Sequence, residues 1–194
     1  MDVRLEILHA FGSHTGKTIQ SDLIRQTVLF AEESSSFLIF PVGKQVAIQH
    51  AESGCMNFIP PSSVTVESII GLSVVNNITV GGKNPTVMDY LAVCEKNLIK
   101  GELFVEISVY NLRGPATTPI KQITAPFSLI FGQSGFALLG FDVSFSSDGR
   151  LICIACSGTK DGKMSNSVVV FDWYKRKVKI IITVFWKTIS AFLR

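Results

Sequence analysis

The stretch FGSHTGKT (11–18) ends in the Gly-Lys-Thr triplet of a phosphate-binding loop, and an alternating run of Val3, Leu5 and Ile7 leads into it. Such a loop needs four residues between its glycines so that backbone N–H groups can wrap a phosphate while the lysine reaches the outer phosphates. Gly12 and Gly16 enclose only three residues, and Phe11 stands where the first glycine is needed. A bulky side chain there opposes close approach of the backbone. The motif should also open a helix, yet the chain turns β-rich by Thr27. VVVFD (168–172) imitates the acidic strand of a nucleotide site, but its counterparts at 46–50 and 107–111 mark it as a repeat element. Residues 11–18 therefore read as a glycine-containing loop leading into a β-domain, with nucleotide binding kept as the third-ranked reading.

Other chemistry-bearing residues read in the same way. Cys153 and Cys156 have metal-ligand spacing, but in a strand residues three apart point to opposite faces and cannot share an ion. His9, His14 and His50 are far apart in sequence and pair with no nucleophile or carboxylate. Asp142, Asp148 and Asp172 fall at strand or turn positions. Asp148 is expected to hold a turn through side-chain hydrogen bonds, and Asp172 to tie neighbouring strands. No catalytic, cofactor-binding or metal-binding residue is assigned, and the chain is not expected to be an enzyme.

What positions these residues must be strands. The 194 residues are 47% hydrophobic but only 17% charged, against roughly 25% charged in an average chain, which calls for much buried surface. Net charge is +3 and the basic residues are scattered, apart from Lys175-Arg176-Lys177, which reads as a solvated turn rather than a nucleic-acid stripe. Asp2, Arg4 and Glu6 interrupt the place where a secretory signal needs an apolar run. The expected compartment is thus the cytosol, with Cys55, Cys94, Cys153 and Cys156 reduced and the sequon Asn77-Ile78-Thr79 without meaning. From Ile180 seven apolar or threonine residues run to Lys187, far short of the roughly 20 a spanning helix needs, so a buried strand is expected and no membrane span. A chain that stops soon after such a run is expected to be the opening portion of a longer one.

Short apolar runs dominate: FLIFP (37–41), QVAIQH (45–50), IIGLSVV (69–75), YLAVCE (90–95), FVEISVYNL (104–112), LLGFDVSFS (138–146), LICIACS (151–157) and SVVVFDW (167–173). None sustains a helical period, and turn residues separate them, so the fold is expected to be all-β. Several recur in order. Val46, Ile107 and Val168 open matching strands 61 residues apart, and Leu91 and Ile152 keep the same offset. LSVVNN (72–77) and VSFSSD (143–148) are instead 71 apart, which assigns about ten extra residues to a loop, best placed at 81–89. In the last unit Asp148-Gly149 predicts a primed hairpin turn. A polar loop (158–166), the strand VVVFDW and a basic YKRK turn follow. Four strands in about 40–45 residues is the size of one propeller blade. LICIAC and VVVFDW are apolar on both faces, as blades packed between neighbours require. The predicted fold is therefore a partial WD-repeat β-propeller of about three antiparallel four-stranded blades. Residues 1–35 form a leading strand and loop, and 36–194 the incomplete propeller, with units near 36–60, 64–113 and 136–186.

HAFG (9–12), FLIFPVGKQVAIQ (37–49) and NFIP (57–60), in that order, resemble the opening of the ciliary WD-repeat family called cilia- and flagella-associated protein 57. EISVYNL (106–112) looks like that family's first blade-closing strand, and VSFSSDGRLICIA with VVVFDWYKRKV like its next blade. The sequence departs from the pattern at SGTKDGKMSNS (157–167), at the insert after Asn77, and at its end. The resemblance implies a non-catalytic scaffold in the axoneme of cilia or flagella, on microtubules within the cytoskeleton, where it docks or regulates inner dynein arms. It implies partner proteins but neither cofactor nor catalytic residue. The loops 81–89 and 158–166 are the expected recognition surfaces. The alternative reading is a WD-repeat adaptor of another cytosolic complex, such as a vesicle coat or a ubiquitin-ligase substrate receptor.

Overall fold

The computed structural model describes residues 28–32, 35–81, 85–114, 117–131, 135 and 137–186. They form β1 (Val28–Glu32), β2 (Ser35–Val42), β3 (Gln45–His50), β4 (Met56–Ile59), β5 (Val66–Val80), β6 (Thr86–Ile99) and β7 (Glu102–Asn111). Then come β8 (Lys121–Pro126), the short helix α1 (Phe127–Phe131), β9 (Ala137–Phe145), β10 (Leu151–Lys160), β11 (Lys163–Asp172) and β12 (Lys177–Trp186). The fold is all-β, as its alternating and β-branched runs predict. Three antiparallel four-stranded sheets follow one another along the chain: β1-β2-β3-β4, β5-β6-β7-β8 and β9-β10-β11-β12.

Tight turns make these meanders local. Ile99 pairs with Glu102 across Lys100 (φ 51°) and Gly101 (φ 81°), and Lys160 pairs with Lys163 across Asp161 (φ 51°) and Gly162 (φ 71°). Two successive positive φ values are the signature of a type I′ turn, whose twist matches that of the flanking strands. This corrects two loop assignments. Residues 158–166 are strand apart from the two-residue turn at 161–162, and Thr86–Asp89 belong to β6. There Ile78, Thr79 and Val80 pair with Met88, Val87 and Thr86, so the added residues lengthen a hairpin instead of bulging from it. A polar segment in a protruding hairpin needs no apolar alternation, because backbone ladder bonds alone hold it. The Asp148-Gly149 turn also differs from expectation. Only Gly149 has positive φ (66°), and its N–H donates to Ser146 O (2.8 Å), a turn followed by a left-handed residue rather than a primed pair.

The sheets stack face to face around two apolar clusters. Between the first and second sheets lie Ile39, Val46, Ile48 and Ile59, meeting Ile69, Leu72, Leu91, Val93 and Tyr110. Between the second and third, Tyr90, Ala92, Cys94, Ile107 and Val109 meet Val143, Ile152, Ile154, Cys156, Val169 and Phe171. Neighbouring residues of β6 thus serve opposite clusters, the two-sided burial that its apolar run predicts. The backbones of adjoining sheets come nearest at their first strands, β1 with β5 and β5 with β9. Gly71 of β5 permits the closest approach: a Cβ there would stand 2.8 Å from Val143 Cγ1 and 3.0 Å from Phe141 Cε1. Beside it Ser73 Oγ accepts the Phe145 N–H (3.2 Å), a hydrogen bond across the two sheets. Farther out, α1 wedges between the second and third sheets against β7, β8, β11 and β12. Ile130 is buried there, and its carbonyl accepts the Ser167 hydroxyl (2.6 Å).

Candidate functional site

The polar groups that the sequence singled out sit in turns and seams. In the β9–β10 turn, Asp148 Oδ1 accepts the Ser146 hydroxyl (2.6 Å) and the Arg150 N–H (3.1 Å). The Ser146 bond, then the Arg150 bond, hold its carboxyl below the usual range. Trp173 locks the same turn from β11's end: its indole N–H donates to Gly149 O (2.7 Å), and its ring meets Tyr90 edge-on at 5.2 Å. Asp172 accepts the Lys175 N–H (3.0 Å) and lies 3.8 Å from Lys179 Nζ, joining β11 to β12 across the exposed basic turn. Asp142 is exposed and accepts the N–H of its neighbour Val143 (2.9 Å). Cys156 faces the second sheet, where burial pushes its thiol up to about 12, whereas Cys153 is part-buried on the opposite face of β10.

His50 stands in a trio the sequence did not suggest. Its Nδ1 accepts the Ser53 backbone N–H (3.0 Å) and lies 3.0 Å from Ser53 Oγ and 3.3 Å from Glu52 Oε2. An acyl-transfer triad needs the hydroxyl on one ring nitrogen and the carboxylate on the other. Here both crowd the same nitrogen. The trio builds the β3–β4 turn, in which Ser53 Oγ also accepts the Cys55 N–H (3.3 Å) and Glu52 Oε1 the Ser36 N–H (3.3 Å). Phe11 to Thr18, His9 and His14 lie outside the described residues.

Two further clusters were not foreseen. On the face of the second sheet that the first sheet covers, Glu95 is 2% exposed and pairs directly across the ladder with Glu106. Glu95 accepts the Ser62 N–H (3.1 Å), while Asn97 donates to Glu106 Oε2 (3.0 Å) and accepts from Thr65 Oγ1 (3.1 Å) and Ser63 Oγ (3.3 Å). Burial, and then the Glu106 charge, raise the Glu95 carboxyl, although the Ser62 bonds lower it. Tyr110 on the same face is pushed up to about 12 by burial and by Glu95. The connector 62–65 is thereby fastened to β6. At the other end of the sheet Asp89, 1% exposed, pairs with Arg113 and accepts the Asn77 N–H (2.6 Å), holding Asn77 at its left-handed φ of 57°. A strand pattern hides both clusters, since each charged residue occupies a position where the sequence reads as one more polar interruption.

Among the described residues, no group of three or more His, Cys, Asp and Glu could hold a metal ion, and no helix is long and apolar enough to cross a membrane. Among the described residues, apolar side chains also line the outward face of each end sheet. On the third sheet this face carries Leu151, Cys153 and Ala155 of β10, Val168 and Val170 of β11, and Ile182 of β12, with Val168 37% and Ile182 55% exposed. On the first sheet it carries Leu38, 37% exposed, and Phe58, 44% exposed, with Ala47 fully buried in register between Phe40 and Phe58. Apolar faces rimmed by polar turns are where proteins bind proteins. Comparison with protein-family models finds no match, and comparison with curated protein sequences finds none.

Proposed function

We propose that the chain is a non-catalytic scaffold, a partial β-propeller of WD-repeat type that binds other proteins in the axoneme of cilia or flagella. The observation that carries this reading is the stacking of three equivalent meanders, the second and third adjoining by their first strands at Gly71 and Ser73 with α1 wedged between them farther out. Sheets that meet along one edge and diverge along the other radiate as propeller blades do. The side chains with chemical potential are spent on turns and seams, which suits rigid presentation of a surface rather than turnover. The axonemal assignment, with microtubules and inner dynein arms as neighbours, rests on the resemblance carried by HAFG (9–12), FLIFPVGKQVAIQ (37–49) and NFIP (57–60).

The test is localisation of the tagged chain in a ciliated cell, followed by detergent extraction. The chain is expected to remain with the axoneme and to leave it under the salt conditions that strip inner dynein arms. Recovery in the cell body with coat or ubiquitin-ligase components would replace the ciliary reading by the adaptor one. Retention of ATP or GTP by the intact chain, abolished by Lys17→Ala, would overturn both in favour of nucleotide binding.

A further inference from the structure

The second and third sheets diverge outward, and their last strands, β8 and β12, leave a margin between them. The ladders show which side chains face it, since residues in register point to the same side. Lys121 and Ile123 of β8 pair with Val109 and Ile107, which face the third sheet. Val178 and Ile181 of β12 pair with Phe171 and Val169, which face the second. Farther along, α1 fills the same margin: it touches β7, β8, β11 and β12, buries Ile130 and accepts the Ser167 hydroxyl on the Ile130 carbonyl. Four residues of β11, about 13 Å at the usual strand rise, separate Ser167 from Phe171 at the mouth. Over that length Val178 stays 38% and Ile181 40% exposed.

The mouth of this margin is basic. Lys121 Nζ lies 5.7 Å over the exposed Tyr174 ring, which meets Trp173 edge-on at 5.8 Å. Trp173 holds Gly149 O, which brings Arg150 to the same end. Lys175, Arg176 and Lys177 are exposed in the β11–β12 turn and enter no ion pair among the described residues. With Lys179 these are six cations against Asp148 and Asp172, a surplus of four, where the entire chain carries +3. Arg176 stands at a left-handed φ of 54°, a position that suits glycine or asparagine, so the turn keeps a cation there against its backbone preference.

We propose that this margin holds a segment of a partner protein in which acidic and apolar residues are interspersed. Its apolar side chains extend the row begun by α1 over Ile123, Val178 and Ile181, and its carboxylates meet Lys121, Lys175, Arg176 and Lys177. Nucleic acid bound without sequence preference needs several stacking rings, and at this mouth Tyr174 is the one exposed ring among the described residues. A bilayer cannot enter a margin walled by two sheets, whereas α1 shows that a peptide can. The proposal names the partner chemistry of the scaffold reading above and rests on it only for the partner being a protein.

The probe is a short fluorescein-labelled peptide of glutamates interspersed with leucines, titrated with the full chain and followed by fluorescence anisotropy. Binding is expected, and it should weaken severalfold on going from low to physiological salt, where screening acts over about 8 Å. Lys175→Glu, Arg176→Glu and Lys177→Glu combined should weaken it about tenfold, the size expected when three exposed ion pairs are reversed. Ile181→Ser should weaken it too, and Ile182→Ser, on the other face of β12, should not. Arg176→Gly relieves the left-handed position, so it should raise the urea midpoint while loosening the peptide. Absence of binding, or binding that the charge changes and Ile181→Ser leave alone, overturns the proposal. So does equal binding of a peptide of glutamates only, since the margin would then contribute nothing. Tighter binding of phosphatidylserine vesicles or of a single-stranded RNA oligonucleotide, lost in the same triple variant, would overturn it in favour of those ligands. A chain that leaves the axoneme reading unsupported on extraction can still bind the peptide, so the two readings fail separately.

Discussion

Glu95 and Glu106 face each other across one ladder of the second sheet, and the fold holds them with the Ser62 N–H and the Asn97 amide rather than with a cation. Burial raises Glu95 from its usual 4.5, so the unfolded chain loses this proton at lower pH than the folded one. Between those two values the folded state binds more protons, and stability falls as pH rises. The contribution is fully present below about 4.5 and is lost as pH climbs through the raised folded value. Glu95→Gln keeps an acceptor for Ser62 and removes the ionisation. Subtracting its urea midpoints from those of the wild type should isolate a slope falling with pH above that point; a flat difference would show that Glu95 titrates alike in both states. Asp89 predicts the opposite sensitivity to truncation. Arg113→Ala leaves a buried carboxylate with only the Asn77 N–H, and hydrogen bonds to charged groups contribute about 1.5–3 kcal/mol, so a loss of that size is expected in chemical unfolding.

At the scale of elements, Gly71 governs how closely β5 and β9 approach. Gly71→Ala would put a methyl 2.8 Å from Val143 Cγ1, and such overpacking costs typically about 1–3 kcal/mol. Val143→Ala, which opens a cavity on its own, should recover part of that loss, so the double variant is expected to cost less than the two singles added. Strict additivity, measured by thermal or urea unfolding, would mean that the strands do not meet there. Nothing in IIGLSVV distinguishes this glycine from one that merely loosens a strand, because the close partner lies about seventy residues away. The apolar strands β3, β6, β7, β10 and β11 are legible, since each is sandwiched or half-buried and reads as a continuous or alternating apolar run. β8 is not. Its KQITAP has one buried residue, Ala125, and lies at a sheet edge where pairing on one side suffices. The hairpin tips at 79–87 and 159–164 escape for a related reason: ladder bonds form them, and none of their described residues belongs to the apolar clusters. Of the candidate site, Asp148 was legible as a turn residue and Asp172 as a tie between strands. The Glu95–Glu106 pair and the His50 trio were not, because both depend on the register of a ladder or on a turn geometry that spacing alone does not fix.

On the scale of the molecule, three sheets in a row make stability a sum of nearest-neighbour contacts, as in repeat proteins. Among the described residues, the second sheet joins an apolar cluster on each face and the end sheets on one. Amides of β6 and β7 are therefore expected to exchange with deuterium most slowly, and those of β2 and β12 sooner. The two apolar seams can be cut separately. Leu91 and Ile154 are both fully buried, the first in the seam to the first sheet and the second in the seam to the third. Large-to-small changes at such sites cost about 2–5 kcal/mol, so Leu91→Ala and Ile154→Ala should be comparably destabilising overall. Their exchange patterns should differ. Leu91→Ala should hasten β2 and β3 before β10 and β11, and Ile154→Ala the reverse, with β6 and β7 last in both. Uniform acceleration in either variant would mean that the sheets open as one cooperative unit and that the seams are not independent.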